Sequence, residues 1–353
     1  MGEWVLLGLQ DGCLWRKELD RFRGGCLDIH FRPEYGKLFS GTGDVCLFVY
    51  REGACRIVYP FLLRKVPHPA GMSGKFGKEY YDITSFYGYG GPIGTLEAGD
   101  TVWNNFYHCF EEYCRNNDII TEFIRFHPLL GNHRFLVGQV EVDRSSSVVF
   151  VDLRVSEENI WSGYERNNRK NIKKAYREGL KVILEEAPGH FRDFLEIYQH
   201  TLSRNGARPF YYFPPDFYEA IHSDMAGNYL YAHAVDGGKV ISTELLLYND
   251  TYIHSFLGGT LESYYELRPN NILKHEVIKW AKERGIHFFM IGGGYQEGDG
   301  IFRYKRSFAK GGILDFYIGK KVHNPAAVRM VEELLATQTP RESERYFPSY
   351  RRY

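Results

Sequence analysis

The chain has 353 residues, 44% of them hydrophobic and 25% charged, which is room for about two domains of ~150 residues each. Lys plus Arg and Asp plus Glu each number 44, so the formal net charge is zero. That balance argues against a dedicated DNA or RNA binder but leaves room for a local basic patch. No apolar run approaches the ~20 residues needed to span a bilayer, and Met1-Gly2-Glu3-Trp4 has an acid where a signal peptide carries positive charge. The expectation is a soluble, cytoplasmic protein, with peripheral membrane contact left open.

The cysteines, at 13, 26, 46, 55, 109 and 114, have no CxxC pair and are expected to be free, mostly structural thiols. The thirteen histidines give no HExxH-like pair, so no metal is expected.

In chain order, Val45–Tyr50 and Ala54–Phe61 read as strands joined by a turn at Glu52-Gly53. The spacing then predicts a helix over 101–116, a strand over 119–126, and two further strands over 137–142 and 147–152. Ser156-Glu157-Glu158 has the capping residue and first-turn acids of a helix start, and helical character runs on through Tyr176. A strand over 181–184, helices over 191–203 and 216–223, and strands over 229–235, 240–248 and 251–257 follow. A helix over 271–284, strands over 287–291 and 314–318, and a tail helix over 326–336 complete the pattern. The order is that of an α+β sheet domain, the element order of the GNAT acyltransferase fold.

Five constellations could carry chemistry. In Arg166–Arg177 the cations Arg166, Arg169, Lys170, Lys173, Lys174 and Arg177 share an arc of about 140° on one helical face. Like charges at i,i+4 repel, so the stripe is either a solvated face or faces the phosphates of tRNA, a nucleotide-linked sugar or CoA. In Tyr80–Pro92, aromatics and glycines alternate irregularly, a shaped loop in which Tyr81, Asp82, Thr84, Ser85 and Tyr87 could contact a polar substrate. Glu244 interrupts an apolar strand; a buried carboxylate needs a partner or a raised pKa, and is a candidate general base. Arg268-Pro269-Asn270-Asn271 opens a helix, whose N-terminus can bind anions, with Thr260 on the approach. No QxxGxG-type pyrophosphate loop is present.

The fifth is the loop Gly292–Phe308, which holds Asp299, Arg303, Tyr304 and Lys305. A fixed ammonium there could stabilise an oxyanion, and Asp299 could accept a proton or, with Glu297, ligate a metal.

These residues, with Phe126-His127-Pro128-Leu129-Leu130, resemble the Fem peptidoglycan-bridge aminoacyltransferases, over roughly residues 31–319. The likeness is strongest to relatives described as acetyltransferase-like proteins of polysaccharide and natural-product clusters. The resemblance implies two tandem GNAT-like domains with an interdomain cleft, with boundaries expected at 1–155 and 156–312 and a last strand and tail at 313–353. It implies an N-acyltransferase that takes an amino acid from aminoacyl-tRNA to an amine on a small-molecule or nucleotide-linked acceptor. No tightly bound cofactor and a monomer or weak dimer are expected. The family's charge-stabilising lysine matches Lys305, and its acceptor-binding region corresponds to Arg204–Tyr212, including Arg204, Tyr211 and Tyr212. Neutral charge and the missing coiled-coil insertion depart from the tRNA-using members. An acyl-CoA-dependent N-acyltransferase acting on an amino sugar or polysaccharide precursor is the alternative, and a non-catalytic ligand-binding or scaffolding protein is a third reading.

Overall fold

A computed structural model describes residues 2–22, 27–67, 78–95, 98–335 and 346–352; Cys26 and Ala336 lie outside these. The elements run β1 (Glu3–Gly8), α1 (Gly12–Leu19), α2 (Pro33–Lys37), β2 (Asp44–Glu52), β3 (Cys55–Lys65), β4 (Tyr81–Thr84), β5 (Ile93–Gly94), α3 (Asp100–Asn116), β6 (Ile119–Arg125) and β7 (Glu141–Asp152). Then come α4 (Glu157–Gly163), α5 (Arg166–Arg177), β8 (Lys181–Glu185), α6 (Phe191–Arg204), α7 (Pro215–Asp224), β9 (Tyr229–Asp236), β10 (Lys239–Tyr248) and β11 (Tyr252–Thr260). The chain finishes with α8 (Pro269–Glu283), β12 (Phe288–Gly292), α9 (Gly300–Arg306), β13 (Ile313–Val322) and α10 (Pro325–Leu335).

Two compact units result: Met1–Ser145 with Phe316–Tyr353, and Ser146–Asp315. The segment from Phe316, expected as a separate tail, thus packs with the first unit, and the division falls at 145/146 where the sequence reading drew it at 155/156.

In the first unit the strand order is β1-β2-β3-β4-β6-β13, with β5 on β3. The β2–β3 hairpin turns at Gly53, whose φ of +57° costs a glycine nothing. Helix α3 buries Trp103, Phe106, Phe110 and Tyr113 at helical spacing against Phe48, Tyr59 and Phe61. A buried carboxylate organises the far edge. Asp82 takes the Arg64 Nε at 2.8 Å through one oxygen, and the Arg351 Nε at 2.5 Å and the Tyr350 hydroxyl at 3.0 Å through the other. The C-terminal segment is thereby tied to β3 and β4.

In the second unit the order is β7-β12-β11-β10-β9-β8. Only β11–β12 is parallel there. Helix α8 lays Ile272, Leu273, Val277, Ile278 and Ala281 on the sheet, beside Ile172 and Ala175 of α5 and Leu246, Ile253 and Phe289 of the strands.

Three expectations need correction. The helix from Ser156 does not run through Tyr176: it stops at Gly163 and restarts at Arg166, with Tyr164 and Glu165 extended. Tyr164 is fully buried, its hydroxyl 3.2 Å from His275 Nδ1, so tertiary burial overrides local helix preference. The stretch 137–142 is not a strand throughout; Gly138 at φ +86° breaks it, and one long β7 replaces two short strands. The glycine-rich loop ends in helix α9, capped by Asp299 and anchored by buried Phe302.

Asp82→Ala would leave two guanidinium groups without their buried counter-ion. The expected loss is about 3–5 kcal/mol of unfolding free energy, read as a lower denaturant midpoint; an unchanged midpoint would remove Asp82 from its organising role.

Candidate active site around Lys305

Strand β10 carries Glu244, β11 carries Ser255, and α8 carries Lys274. All three meet in the core of the second unit. The Lys274 ammonium donates to Glu244 Oε1 at 2.5 Å, Glu244 Oε2 at 2.7 Å and Ser255 Oγ at 2.7 Å. Those bonds employ all three of its donors, which is what a buried ammonium requires. Its Nζ also stands 5.2 Å from the Phe289 ring centre.

Lys305 lies beside this pair on α9. Its Nζ donates to the carbonyl of Gly293 at 2.6 Å, and its other two donors have no partner among the described residues. Burial pushes the Lys305 ammonium down to about 8, and the neighbouring Lys274 charge adds to the fall; Glu244 and Asp299 oppose it. Gly292, at φ +86°, turns the chain so that Gly293 presents that carbonyl; a Cβ there would stand 3.4 Å from Lys305 Nζ.

The two parallel strands part at the same place. β11 and β12 pair at Tyr252–Phe288, Ile253–Phe289 and His254–Met290, and the register ends there although both strands run on. Ser255 is the first β11 residue beyond the last pair.

A second polar cluster fixes the start of α8. Asn270 Oδ1 accepts from Ser242 Oγ and Thr260 Oγ1, each at 2.7 Å. Its carbonyl accepts from the Tyr304 hydroxyl at 2.9 Å. Burial drives that phenol well above its ordinary pKa, so Tyr304 stays a neutral donor. Arg204 reaches the carbonyl of Thr260 at 3.1 Å and stands 5.6 Å from the Tyr265 ring centre. Buried Asn168 accepts from Asn271 at 2.8 Å and donates to the Ser307 carbonyl at 3.1 Å, linking α5, α8 and the end of α9.

The structure thus gathers Glu244, Thr260, Asn270, Tyr304, Lys305 and Arg204 from the sequence-predicted set. Asp299 serves another purpose. Its carboxylate accepts from the N–H groups of Phe302, Tyr295 and Gln296, at 2.7, 2.7 and 3.1 Å, which hold it below its ordinary pKa. It is the N-cap of α9, an acceptor already in use, and a poor proton acceptor. Arg303 and Tyr212 are exposed, and the Tyr211 carbonyl accepts from Tyr198 at 3.0 Å. Arg268 adopts φ +60°, its guanidinium 3.6 Å from Glu266.

On α5, Arg166, Lys170, Lys173 and Arg177 are exposed and make no ion pair among the described residues. Arg169 instead donates to the carbonyls of Trp161, Ser162 and Tyr164, closing the end of α4, and Lys174 stands 3.8 Å from Glu266. In the first unit, Tyr81 bonds Glu79 at 3.0 Å, Asp82 is engaged with Arg64 and Arg351, and the Tyr87 carbonyl accepts from Tyr35. His127 sits 2.7 Å from Asp28 within that same unit.

Lys274, Ser255 and Asn168 are absent from the sequence-predicted set. One signal was readable: Lys274 shares a helical face with Val277 and Ile278, and a cation on an apolar face demands a buried partner.

Residues 163–306 match the acetyltransferase (GNAT) domain family, so the second unit carries such a domain. Among solved structures, FemX superposes with a TM-score of 0.70 at 13% identity, covering 94% of this chain and all of its own. The C-terminal domain of a putative lysylphosphatidylglycerol synthetase from Agrobacterium fabrum gives 0.56 at 15% identity, covering 92% and 96%. A tandem GNAT protein from the clavulanic acid biosynthesis pathway gives 0.52 at 10% identity, covering 92% and 100%. At such identities the likeness is one of fold, a tandem GNAT fold. No curated protein matches the chain by sequence.

Because the folded-state pKa of Lys305 lies below that of a free lysine, its charged form is penalised in the native state. Lys305→Met is therefore expected to be more stable than the native chain at pH 7. The difference shrinks as pH rises from about 8 into the ordinary lysine range, measured by urea unfolding across pH. A pH-independent difference would contradict the depressed pKa.

Proposed function

We propose that this acyltransferase, with its GNAT domain and tandem GNAT fold, moves an aminoacyl group from an aminoacyl-tRNA ester onto the amine of a small-molecule or nucleotide-linked acceptor. The observation that carries the reading is the Lys305 ammonium, with two unused donors beside the parting of β11 and β12.

The acceptor nitrogen attacks the ester carbonyl, and negative charge collects on its oxygen. A preorganised ammonium in a dry setting stabilises that oxyanion far better than water does. With a pKa of about 8, Lys305 also passes a proton to the leaving ribose oxygen and takes one back from the attached ammonium, so the protons balance. Glu244 stays with Lys274, and Asp299 with its capping N–H groups; neither is assigned the proton transfer. Tyr304, Asn270, Thr260 and Arg204 brace the wall from which Lys305 projects.

Two features favour RNA over acyl-CoA as donor. Pro269 supplies no N–H at the first turn of α8, and the Asn270 side chain is already bound to Ser242 and Thr260. A pyrophosphate cradle of free N–H groups is thus weakened at the usual helix start. The exposed cations Arg166, Lys170, Lys173 and Arg177 complement a phosphate backbone. The Fem resemblance points the same way.

The test compares charged tRNA with labelled acetyl-CoA as donors. Transfer is expected from the first alone and is abolished by RNase; RNase-insensitive transfer from acetyl-CoA would sink the donor assignment. Lys305→Ala is expected to lower kcat by about 10²–10³. Activity should fall as pH rises through about 8, and Lys305→Arg should remove that limb while keeping part of the rate. Full transfer by Lys305→Ala would rule out the role given to the lysine.

A further inference from the structure

Glu185, His190 and His233 converge at the β8 side of the second unit. In the β8–β9 ladder Ile183 is opposite His233, so Glu185, two residues on, shares the face of His233. His190 precedes α6, after Gly189, where a Cβ would stand 2.7 Å from Glu185 Oε2. The glycine thus leaves the Glu185 carboxylate free to lie against the turn.

We propose that these three residues form a binding site for a divalent first-row transition metal ion of the zinc type. Three observations carry it. One ligand atom from each residue falls within 4.8 Å of the other two. The nearest separations are 3.3 Å for His233 Nε2–Glu185 Oε1 and 3.1 Å for His190 Nδ1–Glu185 Oε2. Ligands bound at ~2.1 Å in a tetrahedron lie about 3.4 Å apart, close to both separations, which run to the two oxygens of one carboxylate.

His233 supplies the second observation. Its side chain is fully buried, and Nε2 has no hydrogen-bond partner despite facing Glu185. A buried nitrogen left this way costs free energy in the native state, and a metal ion would recover it. The third is the support around the ring. Thr243, opposite His233 on β10, holds Nδ1 at 2.9 Å through its hydroxyl. A hydroxyl can either donate or accept there; when it accepts, the proton sits on Nδ1 and the Nε2 lone pair faces Glu185, the bracing that ligating histidines usually have. Glu185 is fixed by the His190 N–H at 2.7 Å.

Two imidazoles and one carboxylate suit zinc and its first-row neighbours and do not suit magnesium. The ion would clamp the start of α6 to the sheet edge. The other end of α6 carries Arg204, which contacts Thr260, so the clamp bears on the same helix as the acyl-transfer wall without touching Lys305.

The experiment uses the full chain, freed of metal by chelator and desalting, and titrated calorimetrically with zinc chloride and, in parallel, magnesium chloride. One zinc per chain is expected, with a Kd of about 1 µM or tighter, a rise in Tm, and no response to magnesium. His190→Ala, at a half-exposed position that should leave folding intact by circular dichroism, is expected to weaken zinc at least about tenfold. Glu185→Gln should do the same. No saturable zinc binding, or unchanged affinity in both variants, would overturn the site. Cobalt substitution gives an independent readout: a thiolate-to-cobalt charge-transfer band would put the metal on cysteine and equally overturn it.

Discussion

The ion pair between Lys274 and Glu244 is the constraint from which the active site follows. Two opposite charges in a low-dielectric core are tolerable only when their geometry is good and every remaining donor is met. Here Ser255 completes the ammonium's third bond, so β10, β11 and α8 are held in one arrangement. Removing either charged partner leaves a naked buried charge. The pair also places a fixed positive charge close to Lys305, which helps hold that amine's proton loosely. The interaction therefore sets the shape of the wall, while the pKa of the group that projects from it falls first through burial, with the Lys274 charge adding and Glu244 opposing.

The surrounding polar groups extend this logic outward. Asn168 staples α5 to α8 and the end of α9, and Asn270 staples the start of α8 to the paired strands β10 and β11. Asp299 caps the short helix that carries Lys305, so the lysine is presented from a rigid turn and not from a free loop. The proposed role, which brings the ammonium to a carbonyl within a fraction of an ångström, needs support of this kind.

Much of the fold was legible because the periodicities are strong. The hairpin at Gly53, helix α3 and strands β9 to β11 were read within a few residues of their ends, since apolar spacing and turn residues agree there. The failures share one cause, long-range burial. Nothing local says that Tyr164 must reach His275, so the break between α4 and α5 was invisible. Five glycines masked the seven-residue helix that Asp299 caps. At the site, Lys305, Tyr304 and Glu244 stood out by chemistry, and Asp299 did too, although its carboxylate is taken up by capping. Lys274 and Ser255 were missed because a single sequence does not show which cation a buried acid will find.

The depressed pKa of Lys305 has a chemical side effect. With its pKa lowered to about 8, Lys305 spends more time as the neutral amine near neutral pH than an ordinary lysine does. A neutral lysine amine is a competent nucleophile, and under the proposed function it would meet an activated ester. Under that function the amine would be open to acylation by its own donor, a self-inactivation in which the enzyme becomes the product. Its hydrogen bond to the Gly293 carbonyl restrains the amine's orientation, and the tight glycine turn that presents this carbonyl guards the chain against modifying itself as well as shaping the site.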